Sequence, residues 1–258
     1  MGLKHRLIIS ERNDPSKQRL KTPWEELRPL LYGRADVVTA NSEGAVASLK
    51  SFCPESKLRY IPNPLVLGED IDDSSRSNSI LFLARLVHQK APDIVIEAYA
   101  QFHKVAPEWS LEIAGDGVMG DSLRNRVREL GLENSVTFHG TVSEPAALLR
   151  ACRIFVLPSR FEGTPNALLE AMANRMACIV SDASPGPLGL IQNEVTGLVV
   201  PVDRVDALTN AMVALARNSD TRKELANAAY TKVEEFGLDR VVGTWDHILF
   251  SHDSRFVG

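Results

Sequence analysis

Cysteine and long apolar runs are scarce in this sequence, and each shortage excludes a class of protein. The 258 residues contain three cysteines, Cys53, Cys152 and Cys178, an odd number without a C-x-x-C pair. This pattern argues against a disulfide framework and predicts reduced cytosolic thiols. No stretch approaches the roughly 20 apolar residues that span a bilayer, and residues 1–10 lack the apolar region of a signal peptide. We therefore predict a cytoplasmic protein, with peripheral attachment at the inner face of the membrane left open.

An excess of charge of one sign is also missing. The 29 Lys and Arg residues and the 33 Asp and Glu residues leave a formal net charge of -4 and are scattered along the chain. Because no basic field is available to attract a nucleic-acid backbone, we predict no nucleic-acid partner. The apolar content of 44% is enough to bury the core of an ordinary globular protein.

Short apolar strands alternate with amphipathic helices from residue 79 onward. Strands without internal polar alternation are typical of a parallel sheet covered on both faces. The pattern predicts an α/β fold with a Rossmann-like parallel sheet and helices on both faces. Its strands are predicted at residues 80–84, 110–114, 135–138, 154–157 and 178–181. Asp203 is predicted to cap a helix that follows them.

The first sixty residues predict a smaller βαβαβ segment. Its first helix carries an apolar stripe, including Trp24 and Leu30, that is predicted to cover a sheet. Pro62-Asn63-Pro64 then blocks helix formation and marks a boundary. We predict a partial α/β segment over residues 1–65, the Rossmann-like domain over 66–236, and a C-terminal helix over 237–258 that packs back on the N-terminal segment.

Two glutamates, Glu162 and Glu170, flank seven residues after the strand at 154–157. Thr164 is a natural N-cap and Pro165 a natural first helical residue, which places Glu170 on the second turn of a helix. Open parallel sheets bind ligands at this edge, and the free N–H groups of a helix suit an anion such as a diphosphate. The alternative is that one glutamate is a capping carboxylate and the other a solvated helix residue.

Two cations, Arg85 and Lys90, lie in another loop at the same sheet edge, directly after the strand at 80–84. A planar guanidinium fork and a mobile ammonium suit the charge that develops on a departing nucleoside diphosphate. No D-x-D triplet or His/Asp spacing for Mg²⁺ or Mn²⁺ accompanies them. We therefore predict no metal and no other cofactor, the alternative for both side chains being exposed surface charges.

Gly115 and Gly117 follow the strand at 110–114. They allow the backbone either to approach a flat ligand or to make a plain turn.

Five ordered motifs resemble those of a large retaining glycosyltransferase family with the GT-B fold. That family includes bacterial cell-surface mannosyl-, glucosyl- and N-acetylgalactosaminyltransferases and sucrose synthase. The family runs G-R-L-x-x-x-K-G, A-G-D-G, F-x-G, L-P-S-x-x-E-G-x-x-N-x-x-L-E-A-M-A and N-G-x-x-G-L-L-V-P correspond here to residues 84–91, 114–117, 138–140, 157–173 and 193–201. The resemblance implies that this is the C-terminal half of a GT-B fold, preceded by a remnant of the acceptor-side N-terminal domain.

The resemblance also implies roles for individual residues. Arg85 and Lys90 would hold the donor diphosphate, Glu162 would lie at the reacting carbon of the sugar, and these three form the predicted catalytic set. Glu170 would bind the ribose, and the segment from His139 to Val142 would meet the base. The predicted donor-binding residues are Gly163, Thr164, Pro165, Asn166, Glu170, Gly115, Gly117, His139, Gly140 and Val142.

Departures from the family pattern concern small residues. Ala84 and Ala91 replace glycines of the first motif, and Gly189 stands where the family commonly has Glu. Ala84 and Ala91 are expected to narrow the phosphate loop and leave its charges intact. Gly189 is expected to loosen a contact with a sugar or with ribose.

The predicted function is metal-independent transfer of a hexose, with retention, from an NDP-sugar, preferably UDP-linked, to a polysaccharide or a lipid-linked acceptor. Most of the acceptor domain of the family has no counterpart here. The alternative is therefore a nucleotide-sugar-binding fragment or subunit completed by a separate acceptor-binding protein. A glycoside hydrolase would need two carboxyls about 5–10 Å apart across a sugar cleft, which the ribose role of Glu170 disfavours.

Overall fold

The computed structural model describes residues 6–12, 23–68, 73–162, 165–183 and 185–250. Its strands are β1 Ile8–Glu11, β2 Val37–Ala40, β3 Leu58–Tyr60, β4 Ser77–Leu83, β5 Ser110–Ala114, β6 Val136–Gly140, β7 Cys152–Leu157, β8 Ala177–Ser181 and β9 Leu198–Val200. Its helices are α1 Trp24–Arg34, α2 Glu43–Leu49, α3 Pro92–His103, α4 Gly120–Glu129, α5 Ala146–Ala151, α6 Asn166–Ala173, α7 Pro185–Leu190, α8 Val205–Arg217, α9 Ser219–Val233 and α10 Leu238–Phe250.

The chain forms two compact units, one of Met1–Pro64 with Glu235–Gly258 and one of Leu65–Glu234. We call them the small unit and the large unit. Each unit is a set of residues that pack more with one another than with the rest of the chain. Whether the predicted domains, with boundaries at residues 65 and 236, fold separately stays a prediction.

The large unit is built on a six-stranded parallel sheet in the order β6-β5-β4-β7-β8-β9. Strand β8 is buried along its whole length, as expected for a parallel strand covered on both faces. The sheet contains one strand beyond the five predicted, β9, whose three residues are too few to show a pattern. The order reverses between β4 and β7, which puts the topological switch point of the sheet there.

The core of the large unit lies against α3. This helix buries Val95, Ile96, Tyr99 and Phe102, residues spaced by one and three positions, as on one helix face. Full burial of each large apolar side chain contributes about 1.5–3 kcal/mol. The Tyr99 hydroxyl donates to the Trp109 carbonyl at 2.7 Å, so the polar atom within this core is satisfied.

The small unit has a three-stranded parallel sheet in the order β1-β2-β3. Consecutive residues of β2 pack on opposite faces: Val38 joins a cluster with Leu49 of α2, and Val37 joins one with Val241 and Ile248 of α10. Helix α2 is capped at its N-terminus by Ser42, whose hydroxyl accepts the Ala45 N–H at 3.1 Å.

The apolar stripe of α1 differs from expectation. Trp24 is 58% exposed and Leu30 is 65% exposed, so these side chains cover no sheet of the small unit. The face that packs inward instead carries Arg28, which is buried and lies 5.8 Å from the centre of the Phe52 ring. Among the described residues, no helix combines the length and apolar character that crossing a membrane requires.

Candidate functional site

The predicted residues of the large unit gather at the carboxyl ends of its strands. Arg85 and Lys90 follow β4, and Glu162 follows β7, the neighbouring strand across the switch point. Clefts at such a point are where open parallel sheets bind ligands.

An ion pair between Lys90 and Glu162 is the central contact of this edge. Lys90 ends a short 3₁₀ turn, His88–Lys90, and its Nζ contacts Glu162 Oε1. The Ser159 hydroxyl donates to the same carboxylate oxygen at 2.7 Å. Both charged side chains are largely removed from water, with exposures of 16% and 6%. Loss of either partner would leave a buried charge uncompensated, which costs about 3–5 kcal/mol.

Glu170 differs from Glu162 in its surroundings. It lies on the second turn of α6, is half-buried, and has no hydrogen-bond or ion-pair partner for its carboxylate within the part of the chain that the structure describes. Burial raises the pKa of the Glu170 carboxyl, because a desolvated carboxylate is less stable than the acid.

The start of α6 lies one residue later than predicted. Pro165 is the N-cap and Asn166 the first helical residue. Pro165 is buried and has an extended conformation, with φ -81° and ψ 102°. Its ring restricts φ and so helps fix the direction of the chain before the helix. Gly163 and Thr164, including the predicted Thr164 cap, lie outside the described residues.

Arg85 is exposed and makes no side-chain hydrogen bond or ion pair with any described residue. Its guanidinium therefore keeps its donors available at the same edge as Lys90 and Glu162.

Gly115 and Gly117 bring the loop after β5 against the loop after β4. A Cβ on Gly115, whose φ is +135°, would lie 1.9 Å from the Ala84 carbonyl oxygen, and one on Gly117 would lie 2.4 Å from that of Leu86. The Leu86 N–H donates to the Asp116 carbonyl at 2.9 Å. The close approach that the glycines permit is thus to protein backbone, and their contact with a ligand stays a prediction.

The predicted base-contacting segment lies at the end of β6. The Gly140 carbonyl accepts the Gly115 N–H at 2.7 Å, which joins this strand end to the glycine loop. His139 is exposed, and its Nε2 lies 2.8 Å from Glu112 Oε2. Val142 is half-buried, two residues past the strand.

The residues that depart from the family pattern occupy two different settings. Ala91 is fully buried and adopts the left-handed conformation, with φ 52° and ψ 44°, as the N-cap of α3. Ala84 is half-buried. Gly189 lies in α7, where a Cβ would meet open space.

Two residues of this edge were missed from the sequence. Ser159 and Arg160 lie inside the motif that identified Glu162, but Ser and Arg are usually exposed and gave no separate signal. Asp203 was expected to cap α8, and that is wrong: the N-cap is Arg204, without a side-chain cap, while Asp203 pairs with Arg160.

The sequence matches the family described as Glycosyl transferases group 1 over residues 69–232. The chain belongs to this family. Its members are glycosyltransferases, so the prediction of a glycosyltransferase is confirmed.

One relative is an α-1,4-N-acetyl-D-galactosaminyltransferase of Campylobacter jejuni, named for a diphospho-undecaprenol-linked substrate. It is 30% identical over 249 residues, which cover 95% of this chain and 68% of the relative. A UDP-Gal:α-D-GlcNAc-diphosphoundecaprenol α-1,3-galactosyltransferase of Escherichia coli is 34% identical over 230 residues, covering 78% of this chain and 59% of the relative.

Among solved structures, that of HepE of Anabaena in complex with UDP superposes with a TM-score of 0.82 at 20% identity. The match covers 95% of this chain and 72% of HepE. It confirms the predicted fold class, a Rossmann-like part of a GT-B glycosyltransferase.

Metal chemistry stays at the level of prediction. Within the described ranges, no group of three or more His, Cys, Asp or Glu side chains is arranged to hold a metal ion.

Proposed function

We propose that this chain carries the donor site of a retaining, metal-independent hexosyltransferase that uses a UDP-sugar. The proposal rests on one observation above all, the ion pair of Lys90 with Glu162 at the switch point of the sheet. Arg85 and Glu170 complete the arrangement as charged side chains without partners among the described residues.

The cations suit the leaving group. A nucleoside diphosphate gains negative charge as its bond to the sugar breaks, and preorganised cations stabilise that charge best in a water-poor site. An ammonium has three N–H donors, so Lys90 can keep its contact with Glu162 and still donate to phosphate oxygens. Arg85 adds a planar fork from the same loop.

The nucleoside would lie on the other side of the diphosphate. Glu170 offers carboxylate oxygens to the two ribose hydroxyls, and its partial desolvation strengthens such hydrogen bonds. The segment His139 to Val142, joined to the glycine loop through Gly140, would meet the base through its main chain.

Retention is best explained by a front-face reaction. The bond between the anomeric carbon and the phosphate oxygen breaks, the acceptor hydroxyl attacks from the same face, and its proton passes to the departing phosphate oxygen. Glu162 Oε1 accepts from both Lys90 and Ser159, and a carboxylate oxygen whose charge is neutralised in this way is a weaker nucleophile. The alternative of double displacement on Glu162 is therefore disfavoured.

The acceptor is proposed to be a polysaccharide or a lipid-linked glycan. Support comes from the two bacterial relatives, whose names specify undecaprenol-linked substrates. For such an acceptor we propose peripheral association with the inner face of the membrane. A separate acceptor-binding subunit is the partner to add if the purified chain binds the donor without transferring the sugar.

Calorimetric titration with UDP, GDP and ADP, with and without EDTA, tests the donor site. We expect UDP to bind equally well in both buffers. Arg85→Ala is expected to weaken binding about 10- to 100-fold, since hydrogen bonds to charged groups contribute roughly 1.5–3 kcal/mol. The control is Arg126→Ala on α4, whose guanidinium pairs with Glu97 and Glu129.

Absence of binding by all three nucleotides would overturn the proposal, and loss of UDP binding in EDTA would overturn metal independence. Turnover of a UDP-sugar panel, followed by NMR of the anomeric proton, then tests retention. Binding of UDP without transfer would favour the alternative of a donor-binding subunit.

A further inference from the structure

Arg160 lies among the loops around the candidate site, and its guanidinium contacts protein acceptors. It follows β7, its side chain is 12% exposed, and its guanidinium reaches three other segments. Nη1 donates to the His88 carbonyl at 2.6 Å. Nη2 and Nη1 form a fork with the Asp93 carboxylate at 2.8 and 3.2 Å. Nε lies 2.7 Å from Asp203 Oδ1.

The backbone reinforces these side-chain contacts. The Arg160 N–H donates to the Gln89 carbonyl at 2.8 Å, and Gln89 Nε2 donates to the Phe161 carbonyl at 3.0 Å. The segment Arg160 to Glu162 is therefore joined to the 3₁₀ turn that ends at Lys90. Each member of the central ion pair directly follows a residue that this network fixes, since Lys90 follows Gln89 and Glu162 follows Phe161.

The contact with Asp203 brings in a third loop, the one between β9 and α8. Asp203 adopts the left-handed conformation, with φ 57°, which turns the chain just before α8. The loop is also joined to the residue that follows β8, because the Val202 N–H donates to Asp182 Oδ1 at 2.9 Å. Arg160 thus links the loops that follow β4, β7 and β9.

The direction of the pKa shift of Asp93 agrees with an ion pair between Asp93 and Arg160 that stays charged. Burial alone would raise the pKa of Asp93, but its hydrogen bonds with Arg160 and the charge of that guanidinium outweigh burial and lower it. A lysine at position 160 would keep the charge and lose the planar fork that contacts three acceptors together.

We propose that Arg160 is a positioning residue that holds the Lys90 turn and the Glu162 loop in register for sugar transfer. The inference rests on the proposed function for its catalytic consequence. This positioning role requires no contact between Arg160 and the substrate, because Nε, Nη1 and Nη2 of Arg160 all contact protein acceptors. A displacement of about 1 Å in a catalytic group lowers rates as much as 100-fold, so a loosened link should reduce kcat more than it raises KM.

The test compares Arg160→Lys with Arg126→Lys. Arg126 is a matched control because it also forms a fork with one carboxylate, Glu97, and a single contact with a second, Glu129, but lies on α4 and is 43% exposed. We expect Arg160→Lys to lower kcat for the donor sugar at least tenfold, with the donor KM changed less than threefold. Arg126→Lys should leave both values unchanged.

Hydrogen–deuterium exchange of the full chain supplies a readout that needs no activity. Peptides covering residues 84–92 and 158–162 should exchange faster in Arg160→Lys and at the wild-type rate in Arg126→Lys. If Arg160→Lys does not fold, Asp203→Asn provides a milder change, because Asn tolerates the left-handed conformation and only one carboxylate charge is lost.

The outcomes separate the two proposals. Unchanged exchange in the folded variants would overturn the link, and faster exchange with unchanged kcat would overturn its positioning role. If the wild-type chain neither binds UDP nor turns over a donor, the proposed function fails by itself. Exchange then still decides whether Arg160 joins the two loops.

Discussion

Two groups of charged residues lie at the carboxyl edge of the large sheet, and they differ in whether their side chains are paired with other protein groups. Lys90, Glu162 and Arg160 are paired with other protein groups and are largely buried. Arg85 and Glu170 make no side-chain contact of that kind with the described residues. We call the first group the fixed half of the site and the second the open half.

The difference teaches what each half contributes. Groups that are held before the ligand arrives lose no freedom when it binds, and they act most strongly where charge develops during reaction. Groups without protein partners gain theirs from the ligand and therefore contribute mainly to affinity. On the proposed function, changes to Glu162 or Arg160 in the fixed half should alter kcat or stability, whereas changes in the open half should alter binding. Lys90 is proposed to contact the diphosphate as well, so changing it should alter both.

The largest effect is expected from Glu162→Gln. Removing the charge breaks the ion pair with Lys90, which we propose lies beside the reacting carbon of the sugar, and we expect kcat to fall about 1,000-fold, a loss of roughly 4 kcal/mol. UDP affinity should change little, because Lys90 remains in place for the diphosphate. Steady-state kinetics and calorimetry measure the two effects, with the exposed residue Glu129, changed to Gln, as control. An equal loss in affinity and turnover would erase the distinction between the halves.

Gly115→Ala should have the next largest effect, on folding rather than on binding. The added methyl would meet the Ala84 carbonyl oxygen at 1.9 Å, at a φ of +135°, so we expect a loss of about 2–4 kcal/mol in unfolding free energy. Gly131→Ala is the matched control, because its φ is also positive, at +68°, but its Cβ would meet open space. Urea unfolding of both variants compares them, and similar losses would mean that the close approach of Gly115 to Ala84 adds nothing to the cost of the positive φ.

Glu170→Gln should have the smallest effect and should depend on pH. Because burial raises the folded-state pKa of Glu170, the folded state is penalised once pH exceeds the ordinary carboxyl pKa, and the full penalty is present above the raised pKa. The variant should therefore match wild type in acid and be more stable than wild type at neutral pH. Thermal unfolding at several pH values measures this.

Thermal unfolding of wild type and Glu170→Gln in the presence of UDP tests whether Glu170 binds the nucleotide. UDP should raise the melting temperature of wild type more than that of Glu170→Gln, since the carboxylate is proposed to bind ribose. Equal stabilisation by UDP would remove Glu170 from the open half.

Most of the large sheet could be predicted because its strands are continuous apolar runs between helices with clear periodicity. The short strand β9 could not, since three residues give no period. Helix α7 was also missed: its sequence contains two prolines and two glycines in six residues, a composition that disfavours helix unless tertiary contacts support it.

The sequence predicted which residues lie together at the sheet edge, but it did not predict the contacts between them. Loops at one sheet edge suggested that Lys90 and Glu162 lie near each other, yet the ion pair and the Ser159 contact depend on side-chain directions absent from a linear pattern. The contacts of Arg160 could not be predicted from the sequence either. Its partners lie 67 and 43 positions away along the chain, at Asp93 and Asp203, so no local rule could distinguish it from a surface arginine.

The left-handed conformation of Ala91 restricts which sequences this loop can accept. A side chain branched at Cβ is strongly disfavoured at φ 52° and ψ 44°, and complete burial of the residue leaves little room for a longer one. Saturation of this codon should thus return a short list led by glycine and alanine. Position 91 would be almost as intolerant of change as a charged residue of the site, although it contributes no functional group to the chemistry.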